Sequence, residues 1–193
     1  MLTLPFKIQS VQNPLSIPSF SENAQELKFY DHNLNEIQTV NFRQKFGFIK
    51  LVYAEDLQQI WLLDESAKRL IQYNFREDRI INSYPFDVDF EAVTDFIVFE
   101  NKMYLLTEKS FSVYNFKSQK ILESSTENGR RLRRENHQIQ IVGTNVQQLE
   151  SKSLKTIFSA EYSQIVDKNS AAYFVIQVNK LYLYPVQKEP AEK

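Results

Sequence analysis

The sequence predicts an all-β protein: a β-propeller-like array of about four to five four-stranded antiparallel blades, incomplete toward its N-terminus. Three observations carry this. First, "IWLLDESAKRLIQYNFREDRII" at 60–81 and "MYLLTEKSFSVYNFKSQKIL" at 103–122 share one order of apolar strand, polar turn, segment ending Tyr-Asn-Phe, charged turn and apolar run. Second, taking Tyr30, Tyr73, Tyr114, Leu149 and Tyr184 as the ends of equivalent strands gives spacings of 43, 41, 35 and 35 residues. Periods of this size belong to propeller blades or helical arrays. Third, no window holds the i, i+3, i+4, i+7 apolar spacing of a helix over three turns, which removes the helical array.

Each element follows from local chemistry. The apolar segments "KLVY", "IWLL", "DFIVF", "MYLL", "IQIV", "YFVIQV" and "LYLY" are short and rich in aromatic and β-branched residues. Polar turns such as "DESAK", "FREDR", "TEKS" and "SKS" separate them. The units lie near 7–42, 48–86, 92–127, 133–165 and 167–187, in a single domain over 1–187 with a frayed tail at 188–193. The second unit has room for strands near 48–54, 57–63, 69–75 and 79–84, and the third for strands near 93–99, 102–107, 110–116 and 119–124. Segments such as "IWLL" are apolar at consecutive positions, as strands packed on both faces should be, whereas "RIINSY" mixes in polar residues. The last unit is short of strands, and "MLTLPFKIQSV" is expected to lend it one. Only 3 glycines are present, so Asn, Asp, Lys and Ser must carry the hairpin turns.

Composition narrows the chemistry. The chain has 193 residues, 23 basic and 24 acidic, for a net charge of −1, so no global field draws in nucleic acid or an anionic surface. It has no cysteine, which removes disulfides, thiolate nucleophiles and cysteine-held metals. The opening residues lack the pattern of a signal peptide, and no apolar run approaches a membrane span.

At "QQIWLLDESAKRLIQYNF" (58–75) one hairpin is similar to NHL-type propeller repeats, without their usual turn glycine. From "VQNPLSIPSFSENAQELKFYDHNLNEIQTVNF" (11–42) through 124, the chain resembles a family of uncharacterised secreted β-propeller-like proteins of Bacteroidota. That resemblance implies a periplasmic or secreted setting and supplies no activity. Family members carry a signal peptide and a first blade ahead of the Asn-Pro-Leu segment, so this sequence either lacks an upstream blade or comes from a short gene, and the strand count favours the missing blade.

Candidate sites are few. "GRRLRRENH" clusters Arg130, Arg131, Arg133 and Arg134, whose guanidinium groups suit phosphate or a carboxylate-rich partner; a solvated loop between units accounts for the run without a ligand. No aromatics interleave with it, so nucleic acid is not expected. Asp87, Asp89 and Glu91, with Asp95 beyond them, alternate along "FDVDFEAVTDF" and offer a weak oxygen-ligand set for Ca²⁺; acidic residues on the wet side of a strand explain them as well. His32 and His137 lack metal-pair spacing and read as surface or turn residues, and Trp61 reads as core. No catalytic residue, cofactor or metal is expected. The preferred functional reading is a non-catalytic interaction module or envelope-associated scaffold with a protein partner. The alternative, a lactonase- or hydrolase-type propeller enzyme, needs Asp64, Asp95 and Glu108 to converge.

Overall fold

The computed structural model describes residues 5–11, 13–126 and 128–186, and among these every regular element is a strand. The first sheet contains β1 (Lys7–Ile8), β2 (Ile17–Ser21), β3 (Glu26–Tyr30) and β4 (Glu36–Asn41). The second contains β5 (Ile49–Ala54), β6 (Gln59–Asp64), β7 (Arg69–Asn74) and β8 (Arg79–Pro85). The third contains β9 (Val93–Phe99), β10 (Lys102–Thr107), β11 (Ser110–Asn115) and β12 (Lys120–Ser125). The fourth contains β13 (Arg131–Glu135), β14 (Gln138–Val142), β15 (Asn145–Glu150) and β16 (Ser153–Ser159). The fifth has three strands, β17 (Ile165–Lys168), β18 (Ala172–Gln177) and β19 (Lys180–Pro185). In every sheet each strand lies beside the next one in sequence. This is the β-propeller-like succession of antiparallel blades that the repeat predicts. All five anchor residues fall on the third strand of their sheet.

Two expectations are corrected. Lys7 and Ile8 pair with Phe20 and Ser19 of β2, so the described part of "MLTLPFKIQSV" serves the first sheet and not the last. Residues 1–4, like the tail at 188–193, lie outside the described residues. The arginine run is no loop: residues 131–135 form β13, where pairing with β14 satisfies the backbone and alternation lets Leu132 supply the buried apolar contact.

Burial follows strand position. The second strands β2, β6, β10 and β14 are almost wholly buried, and the fourth strands β4, β8, β12 and β16 are mostly exposed. The chain divides into two compact units, one of residues 1–92, 98–104 and 113–121, the other of residues 93–97, 105–112 and 122–193. In the first unit, Phe20, Leu27, Phe29, Phe42, Val52, Ile60 and Ile71 join one core shared by the first two sheets. Phe75, just past β7, stacks on Phe29 of β3 with ring centroids 4.9 Å apart. Phe116, just past β11, packs on Trp61 and Tyr84 at 5.4 and 4.5 Å. Trp61 is buried, and its indole N–H donates to Glu55 at 2.7 Å.

The recurring Tyr-Asn-Phe is therefore a packing device. The Asn74 side-chain oxygen accepts the amides of Arg76 and Glu77, and Asn115 accepts those of Lys117 and Gln119, all at 3.0 Å. Each bond pair closes the turn after a third strand, and the next residue returns its ring to the preceding sheet. Asp31 occupies the same place after β3, accepting the amides of Asn33 and Asn35 at 2.8 and 2.9 Å.

Turn chemistry accounts for the scarce glycine. Thirteen described residues have positive φ and none is glycine; Asp78, Asn101, Asn128, Asn136, Asn179, Lys68, Ser118 and Ser151 are among them. The short polar side chains of Asn and Asp tolerate this region best. Gly143 is needed for a different reason: a Cβ there would overlap the Asn128 carbonyl oxygen.

Between the first two sheets, the buried Gln25 amide binds both main-chain groups of Ile49, donating to its carbonyl at 2.8 Å and accepting its N–H at 2.7 Å. Gln25→Ala leaves that N–H and C=O unpaired in the core, and denaturant unfolding should report a loss of about 2–3 kcal/mol. A loss below about 0.5 kcal/mol would show that the clamp is dispensable. Asp31 gives a pH signature. The Asn35 side chain and then the turn amides hold its carboxyl below the usual value. A depressed carboxyl stabilises the fold at neutral pH, and that contribution is lost as pH falls through the folded-state value. Carboxyl NMR titration should place Asp31 below an unstructured aspartate, and Asn35→Ala should move it back up.

Candidate functional site

The fifth sheet is where this architecture departs from its own pattern. Its strands pair in continuous antiparallel register, Val166↔Val175 and Lys168↔Tyr173 on one side of β18, Val175↔Tyr182 and Phe174↔Leu183 on the other. Side chains alternate across a sheet. One face therefore carries Val166, Lys168, Tyr173, Val175, Tyr182 and Tyr184, and the other Ile165, Phe174, Ile176, Leu181 and Leu183.

The first face is fixed to the fourth sheet. Val142, Val146, Val166 and Val175 form a buried cluster, and Phe158 of β16 stacks on Tyr173 at 4.0 Å with planes 8° apart. A charged network lies beside it. The Lys168 side chain, 6% exposed, pairs with Glu135 of β13. The Arg133 guanidinium donates to the Lys168 carbonyl oxygen and to Asp167 at 3.4 Å. Upstream, the Asp95 carboxylate of β9 accepts the Leu132 amide at 2.7 Å. Burial first, and then the Glu135 charge, raises the Tyr173 phenol above its ordinary pKa.

Among the described residues, the second face and the outer edge carry no comparable buried cluster. Leu181 and Leu183 are each 62% exposed, and Ile165 and Ile176 are exposed beside them. Third strands β3, β7, β11 and β15 mix buried and half-buried positions, while all six residues of β19 are exposed. Among the described residues, no strand lies beyond β19.

The predicted site residues are dispersed. Arg130 is exposed just before β13 and donates its N–H to the Val142 carbonyl. Arg131 and Arg133 share one face of β13, and Arg134 takes the other with buried Leu132. Asp87 is exposed and pairs with Lys68 at 2.8 Å, Asp89 and Glu91 are exposed in the connector, and buried Phe86 and Phe90 alternate with them. That segment is a turn and not a strand. Among the described residues, no group of three or more His, Asp or Glu side chains could hold a metal. His32 and His137 sit in exposed turns.

Asp64, Asp95 and Glu108 each sit in local surroundings of their own. Asp64, at 0% exposure, accepts the Ala67 amide at 3.1 Å and Arg69 Nε at 3.0 Å within its own hairpin. Glu108 is in an exposed turn. A solvent-open notch of about 520 Å³ is lined by Lys68, Pro85, Phe86, Asp87, Phe116, Lys117 and Ser118, with Lys68 and Asp87 paired to each other at 2.8 Å. Residue patterns missed the exposed edge and the buried Lys168. The legible signal for the edge was the strand count of the last unit; Lys168 had none, because lysine is ordinarily exposed.

No family model matches this sequence, and no curated protein does. Solved structures are similar in fold. A Bacteroides fragilis protein described as exported superposes with TM-score 0.61 at 7% identity, over 95% of this chain and 75% of that one. Virginiamycin B lyase of Staphylococcus aureus gives 0.56 at 8%, over 95% and 70%. Hsv2 of Kluyveromyces lactis gives 0.54 at 12%, over 93% of this chain and 63% of that one, so this chain spans less than two thirds of that protein. At such identities the likeness establishes a propeller fold and nothing of activity.

The network makes a stability prediction. Glu135→Leu strands the buried Lys168 ammonium and should cost about 3 kcal/mol in denaturant unfolding, whereas the double change with Lys168→Met should recover most of it. Spectroscopic titration should show Tyr173 ionising at lower pH in Glu135→Leu than in the unmodified chain. A double variant as unstable as the single one would mean that the pair is not coupled.

Proposed function

We propose that this chain is a non-catalytic protein-interaction module acting in an exported, envelope-associated setting. One observation carries the reading: β19 offers a run of large exposed apolar side chains, Leu181 to Tyr184, beside which no further strand lies among the described residues. A soluble fold rarely leaves such an edge uncovered, and contiguous exposed apolar surface marks sites of association. The acidic residues an axial hydrolase would need are already engaged in a hairpin, spent on a backbone amide, or set in an exposed turn. The exported setting draws on the sequence resemblance to secreted Bacteroidota proteins and on the similar Bacteroides fragilis fold.

Lys180, exposed at the start of β19, is a built-in reporter. Amine-reactive crosslinking at native expression, read by mass spectrometry, should place intermolecular crosslinks on Lys180, and Leu181→Asp with Leu183→Asp should abolish them. Crosslinks from Lys180 to its own chain alone would overturn the reading.

A further inference from the structure

We infer that Asn128 is a self-modification site: its side chain closes onto the Gly129 amide, loses ammonia, and ages to an isoaspartate that loosens the start of the fourth sheet.

Asparagine is chemically labile where its side chain can reach the next main-chain amide. Asn128 precedes Gly129, whereas Gly47 follows Phe46 and Gly143 follows Val142, so this is the chain's one Asn-Gly step. Glycine matters because no side chain shields the nitrogen that must attack. Asn128 is exposed in the connector between β12 and β13, at φ 58°. Among the described residues, the Gly129 N–H meets no acceptor and the Asn128 carboxamide makes no hydrogen bond. Both reacting groups are therefore unengaged. Other asparagines are held. Asn13, Asn41, Asn74, Asn115 and Asn169 each turn the amide oxygen onto the main-chain N–H two residues on, at 2.8–3.0 Å. That turn fixes the side chain, and each of the five is followed by a residue that has a side chain of its own.

The chemistry balances within the chain and water. The Gly129 nitrogen bonds to Asn128 Cγ, the Cγ–Nδ2 bond breaks, and ammonia leaves with the proton of the attacking amide. A five-membered imide remains. Water opening it at Cγ gives aspartate and restores the main chain. Water opening it at the main-chain carbonyl gives isoaspartate: the main chain then runs through Cβ and Cγ, and the former carbonyl becomes a free carboxylate.

The fold accepts the first product and not the second. The Asn128 carbonyl is seated on Gly143, where a Cβ would overlap its oxygen and lie 2.9 Å from its carbon. Gly129 is fitted as closely, since a Cβ there would fall 2.9 Å from Ile141 Cγ2. A carboxylate and a lengthened main chain do not fit these contacts. The next rungs are the Arg130 N–H on the Val142 carbonyl at 2.9 Å and the Leu132 N–H on the Asp95 carboxylate at 2.7 Å. Isoaspartate at 128 releases both. The far end of β13 stays in place, held by Arg133 on the Lys168 carbonyl and by Glu135 on the Lys168 side chain.

Incubation of the full chain at mildly alkaline pH, followed by peptide mass mapping, should show the amide-to-acid mass gain at Asn128 before any other asparagine. Isoaspartyl-specific methyl transfer should identify isoaspartate among the products. Hydrogen exchange on the aged protein should show protection lost at the Arg130 and Leu132 amides and kept in β18. Asn128→Gln needs a slower six-membered ring and should stay unmodified and protected; Gln25 at φ 54° shows that glutamine takes this backbone conformation here. Freshly prepared Asn128→Asp should carry the new charge and keep the protection, which separates charge from main-chain length. Four results overturn the inference: another asparagine converting first, Asn128 resisting while a free peptide of residues 124–132 converts, isoaspartate with unchanged exchange at Arg130, or equal loss of protection in Asn128→Asp.

Discussion

A β-sheet of four short strands exposes two apolar faces and can cover neither by itself. In the first unit the cover comes from one side-chain motif placed with care. A third strand ends, Asn74 or Asn115 closes the turn by accepting two amides, and the following phenylalanine is carried back over the preceding sheet. The closed turn fixes the ring's approach, while after β3 the same turn closes on Asp31 with exposed His32 in the ring's place. Each aromatic buries an area large enough to dominate a contact between two small sheets. Gln25 adds the polar half of the same contact, because a carboxamide can answer both an N–H and a C=O at Ile49.

The same dependence explains what could be read from residues alone. Tyr-Asn-Phe recurs at a fixed interval because the device recurs, so the period, the strand class and the second and third sheets were legible almost to the residue. The arginine run was not. Four arginines in five positions look solvated, yet period-2 alternation lets Leu132 enter the core while Arg133 reaches the Lys168 carbonyl and Asp167. That partner lies more than thirty residues on, and no local pattern encodes it. The surroundings of Asp64 were hidden for the opposite reason. A carboxylate at a strand end looks available, but Arg69 five residues later closes a salt bridge around it inside the hairpin.

Building turns without glycine has a cost that shows where the sequence is least settled. Asn and Asp enter the positive-φ region with little penalty, but Val178 sits there at φ 42° with a β-branched side chain. The strain falls on the hairpin that launches β19. Strained backbone persists only where surrounding contacts over-determine it. Here the register from Gln177↔Lys180 to Ala172↔Pro185 supplies that determination, and β19 is the strand it holds in place.

This places the fifth sheet in a particular relation to the other four. Its third strand has the apolar density of a strand meant to lie inside a sheet, and tyrosine at the anchor position that recurs on earlier third strands. What differs is the absence, among the described residues, of the polar-centred fourth strand that separates each other third strand from water. One face is bolted down by stacked Phe158 and Tyr173 and by the Lys168–Glu135 pair, so the sheet is held firmly enough to present an ordered edge. Sheets that cannot bury themselves were the reason for the repeat, and among the described residues the fifth has no fourth strand beside β19.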